Sequence, residues 1–308
     1  MSAPRKHSLF ITGATGYVGR SLLSRIPFES FEAIYCLSRE GKPPSSPGRQ
    51  VPVTWIRGRL EDAKLYGPFL SACDTVLHLA AVSGKARPQE FDRVNRGSTE
   101  LLLQQCARAG VRNFLYVSTI ATRFSDNEYY HYARSKLRAE EAVRRSAQHY
   151  TIVRPTIVAG SGSPVWQRLE KLANAPLSLM IGDGSARVQP IHVDDLADRL
   201  LDLIIRSKFD GRTLELGGPE VVTMADLLRR FHRARHGKDP RFIRMPYRPL
   251  VRLLALIERP LFNLLPVTAG QLASFANDGV ARESIPEGEH HRRMKTIDEM
   301  IHLGRDNV

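Results

Sequence analysis

Residues 9–20 read Leu-Phe-Ile-Thr-Gly-Ala-Thr-Gly-Tyr-Val-Gly-Arg, a short apolar strand running into three glycines spaced every third residue. No other stretch of the chain limits the possible folds so narrowly. A strand that reverses tightly into a helix needs backbone angles that glycine alone takes at no steric cost, which accounts for Gly13. Gly16 removes a Cβ where the backbone would approach a pyrophosphate, and Gly19 lets the new helix pack closely on the sheet. The N–H groups and positive dipole end of that helix would then face the phosphates. Thr15, Tyr17 and Val18 lie within the same run and complete the candidate cofactor-binding turn. The spacing is GxxGxxG rather than GxGxxG.

Short apolar runs then alternate with helical patterns. Strands are predicted at His7–Thr12, Ala33–Ser38, Val53–Ile56, Thr75–Leu79, Asn113–Ser118 and Tyr150–Arg154, with the clearest helices at Pro88–Ala109 and Tyr129–Ala147. This rhythm predicts a parallel sheet covered on both faces. Gly41–Gln50, rich in Pro, Ser and Gly, reads as a loop. After Pro155 the rhythm breaks into shorter elements, which predicts a dinucleotide-binding core over residues 1–158 and a smaller α+β substrate or lid lobe over 159–308, interleaved with the core.

Composition excludes several classes. The 308 residues, 42% hydrophobic, suffice for one large core or a core plus a lobe. Cys36, Cys73 and Cys106 stand isolated among apolar residues without CxxC spacing, so neither a metal site nor a disulfide is expected. The start of the chain, Met1–His7, is short, polar and basic, unlike a secretory signal, and no apolar stretch is long enough to span a bilayer. A cytoplasmic location follows as the expectation. The formal net charge is +13, and Arg229–Arg259 holds ten Lys/Arg against two acids, Asp239 and Glu258. No nucleic-acid motif accompanies that charge. Overlapping the end of that basic region, Tyr247–Leu265 has apolar residues flanked by arginines. It reads either as a lid over the substrate or as a helix lying on an anionic membrane.

The end of the second strand concerns the cofactor's adenine end. The second strand ends Ser38-Arg39, where an NAD site usually carries an acid; an arginine there can pair with a 2′-phosphate, favouring NADP over NAD. Further along, Tyr132 and Lys136 are four residues apart on a predicted helix, hence on one face. A lysine cation beside a phenol, together with an oxidised nicotinamide, stabilises the phenolate and makes tyrosine a usable base.

These motifs together resemble a short-chain dehydrogenase/reductase of the extended or atypical type, the NAD-dependent epimerase/dehydratase-like superfamily. The resemblance runs from His7 to about Leu216. It includes the glycine turn, His78-Leu79-Ala80-Ala81, Val94-Asn95-Arg96-Gly97-Ser98, Ser118-Thr119, Tyr132/Lys136, Arg154-Pro155-Thr156 and Pro190-Ile191-His192-Val193-Asp194-Asp195. It implies a Rossmann-type doubly wound sheet, with Tyr132 as general acid/base and Lys136 lowering its pKa and holding the nicotinamide ribose. It also implies that Thr119, with Ser118 beside it, hydrogen-bonds the substrate oxygen. Leu60, Leu79, Ala80, Ala81, Val117 and Pro155 would line the cofactor, and Asn95 would order the central helix. Asp194 can instead be an N-cap, and His192 a packed residue. Arg59 stands in Gly58-Arg59-Leu60, where the family carries Gly-Asp-Leu, so the usual adenine contact is replaced by a cation. Only 13 positions separate Thr119 from Tyr132, shorter than in sugar-nucleotide enzymes. The C-terminal part, from Leu214-Glu215-Leu216-Gly217-Gly218-Pro219-Glu220 onward, is similar to members related to the accessory subunit of respiratory complex I. The implied function is hydride transfer at a carbonyl or secondary alcohol of a small-molecule substrate, in an oxidoreductase or epimerase. The alternative is a catalytically silent NADP-binding accessory protein. Related enzymes often form homodimers.

Overall fold

The computed structural model describes residues 6–41, 53–175, 178–282 and 293–305. β1 (His7–Thr12) leads through the glycine turn to α1 (Tyr17–Arg25), then β2 (Phe31–Ser38), β3 (Val53–Arg57), α2 (Ala63–Leu70) and β4 (Thr75–His78). A helical stretch follows in three parts: α3 (Pro88–Phe91), a π-helical turn over Asp92–Gly97, and α4 (Ser98–Ala109). β5 (Asn113–Val117), α5 (His131–Arg144) and β6 (His149–Pro155) close the alternating part. The remainder is β7 (Val158–Ala159), α6 (Pro164–Ala173), β8 (Ser178–Ile181), β9 (Arg187–Val188), β10 (Ile191–His192), α7 (Val193–Ile205), β11 (Thr213–Leu216), β12 (Val222–Thr223), α8 (Met224–His236), β13 (Phe242–Met245), α9 (Tyr247–Leu261) and α10 (Ile297–Arg305).

Seven strands form one sheet in the order β11-β6-β5-β4-β1-β2-β3. The pairings from β6 through to β3 are all parallel, and α1, α2, α4 and α5 supply the crossovers that parallel strands need, from β1 to β2, β3 to β4, β4 to β5 and β5 to β6. Leu9, Phe10 and Ile11 on β1 and Val76 and Leu77 on β4 are fully buried, which explains their continuous apolar runs. From β1 the chain winds one way to β2 and β3 and then returns past β1 to β4. The switch point of this Rossmann-type sheet therefore lies between the carboxyl ends of β1 and β4.

The chain divides into two compact units. The first comprises Met1–Ser118, Ser135–Arg154 and Leu196–Leu214; the second comprises Thr119–Arg134, Pro155–Asp195 and Glu215–Val308. Phe10, Tyr66, Phe114, Tyr116 and Ile152 belong to the core of the first. The late segment of that unit is tied in by Arg25 Nε donating to Asp198 at 2.6 Å and by backbone bonds from Ile152 to Arg212 and from Gly211 to Tyr150. In the second unit, Trp166 of α6 packs edge-on against Phe231 of α8, with Met180, Leu228 and Met300 in the same core.

Pro88–Ala109 is not one continuous α-helix, because the π turn adds a residue to its middle. Asp194 is not an N-cap either: α7 already begins at Val193. Lys295 Nζ donates to Asp194 at 3.2 Å, and the Lys295 N–H donates to Asp195 at 3.0 Å. Both acids thus lie in the first turn, where the helix dipole favours them. Except for Gly41, the predicted loop Gly41–Gln50 falls outside the described residues. The three cysteines are buried free thiols, and burial pushes the Cys36 and Cys73 thiols up to about 12. Among the described residues no helix is long and apolar enough to cross a membrane, and no cluster of His, Cys, Asp or Glu could hold a metal ion.

Candidate active site

The glycine turn lies at the switch point of the sheet. Gly13 has φ of +74°, and a Cβ there would lie 2.6 Å from the Ala80 nitrogen. Its glycine is therefore demanded twice, by its own backbone and by the end of β4. A Cβ on Gly19 would lie 2.6 Å from the Ala14 carbonyl oxygen, so that glycine lets α1 close on the turn itself rather than on the sheet. At Gly16, the N-cap of α1, a Cβ would meet only the Gly13 oxygen, at 3.1 Å. The protein packs closely beneath this turn and leaves Gly16 exposed at its tip, with the Gly13 oxygen as its one close neighbour.

Behind the turn runs a buried chain of polar groups. Thr12 Oγ1 lies 2.6 Å from His78 Nδ1, and His78 Nε2 lies 2.8 Å from Thr99 Oγ1, which donates to the Asn95 carbonyl at 2.7 Å. Thr12 Oγ1 also accepts from the Ala80 N–H at 3.3 Å. Burial, with the Lys136 cation as a second cause, pushes the His78 pKa down to about 3, so the imidazole is neutral. Asn95 lies on the π turn. Its side chain accepts from the Val82 N–H at 2.8 Å, and donates to the Val82 carbonyl at 2.9 Å and to Ser135 Oγ at 3.0 Å. One buried amide thus fixes the strand β4 exit, the helical stretch and α5. Leu79 is half-buried and Ala81 exposed beyond that exit.

Arg39 and Arg59 are exposed at the ends of neighbouring strands, where Ser38 pairs with Arg57 in register and the Gly58 N–H donates to the Ser38 carbonyl at 3.0 Å. Asp62 closes the second turn by accepting from the Arg59 N–H at 3.0 Å. Leu60 is buried, and its carbonyl accepts from Tyr66 Oη at 2.9 Å.

α5 carries both Tyr132 and Lys136, one turn apart. Lys136 is only 2% exposed; its Nζ donates to the Val117 carbonyl at 2.7 Å and lies 4.1 Å from the centre of the Tyr116 ring. Burial pushes its pKa down to about 7, against the opposing pull of Glu140. Ser118 turns its hydroxyl to Glu140, donating at 2.6 Å. Glu140 is fully buried and also accepts from both Arg154 Nε (2.8 Å) and Nη2 (2.6 Å) and from Arg144 (2.8 Å). Burial alone would raise this carboxyl, but the donors Arg154 and Ser118 override it and hold it below the usual carboxylate range.

Thr119, Tyr132 and Pro155 belong to the second unit. Thr119 opens a short 3-10 turn, its Oγ1 accepting from the Ala121 N–H at 3.3 Å. Tyr132 lies 5.8 Å, ring to ring, from Tyr130, which stacks on Phe124. Burial, and secondarily Tyr130, holds the Tyr132 phenol above its ordinary pKa; burial also pushes Tyr130 up to about 12. His192 is buried beside the start of α7, its Nδ1 accepting from the Asp194 N–H at 3.2 Å.

The relay through Thr12, His78 and Thr99 and the anion at Glu140 were not singled out from the sequence. A usable signal existed for Glu140, which follows Lys136 by one further helical turn on the same face.

Residues 9–217 match the NAD dependent epimerase/dehydratase family. The chain belongs to that family. It is 29% identical over 268 residues to a ceramide reductase of Caulobacter vibrioides, covering 84% of this chain and 80% of that protein. It is 25% identical over 224 residues to the mitochondrial NADH dehydrogenase [ubiquinone] 1 alpha subcomplex subunit 9 of Dictyostelium discoideum, covering 71% of this chain but 61% of that subunit. Among solved structures, the NAD dependent NDP-hexosamine 5,6-dehydratase of tunicamycin biosynthesis superposes with a TM-score of 0.70 at 20% identity, covering 97% of this chain and 96% of that one. The family is NAD-dependent and includes reductases among this chain's relatives.

Proposed function

We propose that the protein is an NAD(P)-dependent oxidoreductase that reduces a carbonyl, with Tyr132 as general acid and Lys136 as its electrostatic partner. The carrying observation is the pairing on α5, where Lys136 is buried, anchored to the Val117 carbonyl and one helical turn from Tyr132. A bound reduced nicotinamide would supply a hydride to the carbonyl carbon. Tyr132 would give its proton to the oxygen, and a phenol held above its usual pKa is protonated at neutral pH and ready to do so. In the reverse direction, or in an epimerisation that oxidises and then reduces one carbon, the same phenol acts as base. Lys136⁺ then stabilises the phenolate.

The turn fits a dinucleotide: Gly16 is exposed at the N-cap of α1, where a pyrophosphate would meet free N–H groups, and close packing at Gly13 and Gly19 supports it from beneath. Arg39 and Arg59 would take a ribose 2′-phosphate or the adenine edge, which favours NADP over NAD. Thr119 would contact the substrate oxygen, while Ser118 positions Glu140. The likeness to a ceramide reductase favours a lipid-like carbonyl compound as substrate.

The test is turnover of a panel of long-chain and isoprenoid ketones, with NADPH and NADH compared as donors, in the wild type and Tyr132→Phe. Expected is preference for NADPH, with turnover reduced roughly 10²–10⁴-fold by the substitution while NADPH still binds. Intact turnover in Tyr132→Phe would remove the mechanism. NADPH binding without turnover of any ketone would favour the second reading, an accessory protein, which the likeness to a complex I subunit supports.

A further inference from the structure

The face of α9 turned away from its own unit is divided lengthwise. Val251 is buried, and Tyr247, Leu250, Leu254 and Ala255 pack against the core of the second unit. On the opposite side, Leu253 is 55% exposed, Leu256 76% and, just past the helix, Leu264 80%. At helical spacing Leu253 and Leu256 form one stripe, which Pro249 and Pro260 extend, and Leu264 follows in the turn after the helix. Arg248, Arg252 and Arg259 are likewise exposed and form a second stripe beside it. Arg241 and Arg244, on either side of the half-exposed Ile243, continue the charge onto β13. Among the described residues none of these five arginines makes an ion pair within 4 Å. Four acids lie nearby and are engaged within the chain: Glu258 accepts from the Ala269 N–H at 3.0 Å, Asp239 from Arg233 at 2.7 Å and Asp183 from Ser185 Oγ at 2.6 Å, while Asp126 bonds Tyr247.

We infer that this face docks on an anionic bilayer surface, with the leucine stripe in the headgroup–acyl boundary and the arginines on the phosphates. The inference does not depend on the chemistry of Tyr132. Charge complementarity selects the occupant. A second copy of the chain would bring two rows of arginine together, and the exposed acids at the edge of the face, Asp126, Asp183 and Asp239, are fewer than the arginines and already engaged with Tyr247, Ser185 and Arg233. A nucleic acid would answer the arginines and leave Leu253, Leu256 and Leu264 in water. An anionic membrane meets both stripes at once, in the arrangement of an interfacial helix.

The experiment is flotation of the full chain with vesicles of phosphatidylcholine, with or without phosphatidylglycerol, at low and high salt. Two variants go alongside it: Leu253→Asp/Leu256→Asp and Arg248→Glu/Arg252→Glu/Arg259→Glu. These side chains are exposed, and circular dichroism of each variant checks that it folds. The wild type is expected to float with the anionic vesicles. Losing three arginines should weaken binding roughly a hundredfold, at about fivefold per basic residue near the surface. The leucine variant should lose the part of the binding that survives high salt. Wild-type protein that stays off the anionic vesicles overturns the proposal. So does binding unaffected by both variants, or a leucine variant that alters only self-association in sizing chromatography.

Discussion

His78 illustrates how a single buried side chain can be neutral by construction. Both of its ring nitrogens face threonine hydroxyls, and a proton there would bring a second charge into a core that already holds Lys136. An unfolded imidazole titrates near 6.5, whereas the folded one does so only near 3. Between those values the unfolded chain binds a proton that the folded chain does not. Folding stability therefore falls as the pH drops from 6.5 toward 3, by up to about 1.4 kcal/mol per pH unit from this group. In His78→Gln that contribution disappears, so the difference in urea-unfolding free energy between variant and wild type should shift in the variant's favour as the solution is acidified. A difference that stays constant between pH 7 and 5 would show that the ring accepts a proton in place.

At the scale of elements, the parts legible in the sequence are those fixed by local pattern. β1 was readable because an apolar run ends at a glycine, and Gly13 because the turn needs its positive φ. The π turn in the middle of Pro88–Ala109 was not readable, because its reason is tertiary. Asn95 is drawn to the Val82 backbone and Ser135, residues distant in sequence, and a π segment is the local adjustment that aims it there. The same holds for Glu140, whose partners Ser118 and Arg154 come from β5's exit and β6. This anion joins α5 to two strand ends and so holds in register the helix that carries Lys136. Glu140→Ala would leave the half-buried Arg154 without its carboxylate, a loss of about 3 kcal/mol, the lower end for breaking a buried pair. Chemical denaturation of that variant measures it. A cost below about 1 kcal/mol would mean that Arg154 finds another acceptor.

For the whole molecule, the order of segments matters more than the sizes of its parts. The first unit is built from three stretches of chain, the last of them Leu196–Leu214, well after the alternating part has ended. That late stretch supplies most of α7, with Leu196, Leu200 and Ile204 fully buried, and the Asp198 carboxylate for Arg25. It also supplies the Ile205 carbonyl, 3.2 Å from His7 Nε2, and the Lys208 carbonyl that accepts from Thr151 Oγ1 at 2.6 Å. A fragment ending at Val158 keeps β1 to β6 and the glycine turn, yet exposes the surface that α7 covers and loses the β11 neighbour of β6. Burying a leucine or isoleucine side chain is worth about 1.5–3 kcal/mol. Three such residues approach the whole net stability of a typical domain, about 5–15 kcal/mol. Residues 1–158 produced alone should therefore give a poorly dispersed NMR spectrum and no cooperative thermal transition. Adding residues 193–216 as a separate peptide should restore both in part. A cooperatively folded 1–158 fragment would show instead that the sheet stands without its late helix, and that the boundary drawn after residue 158 is a true folding boundary.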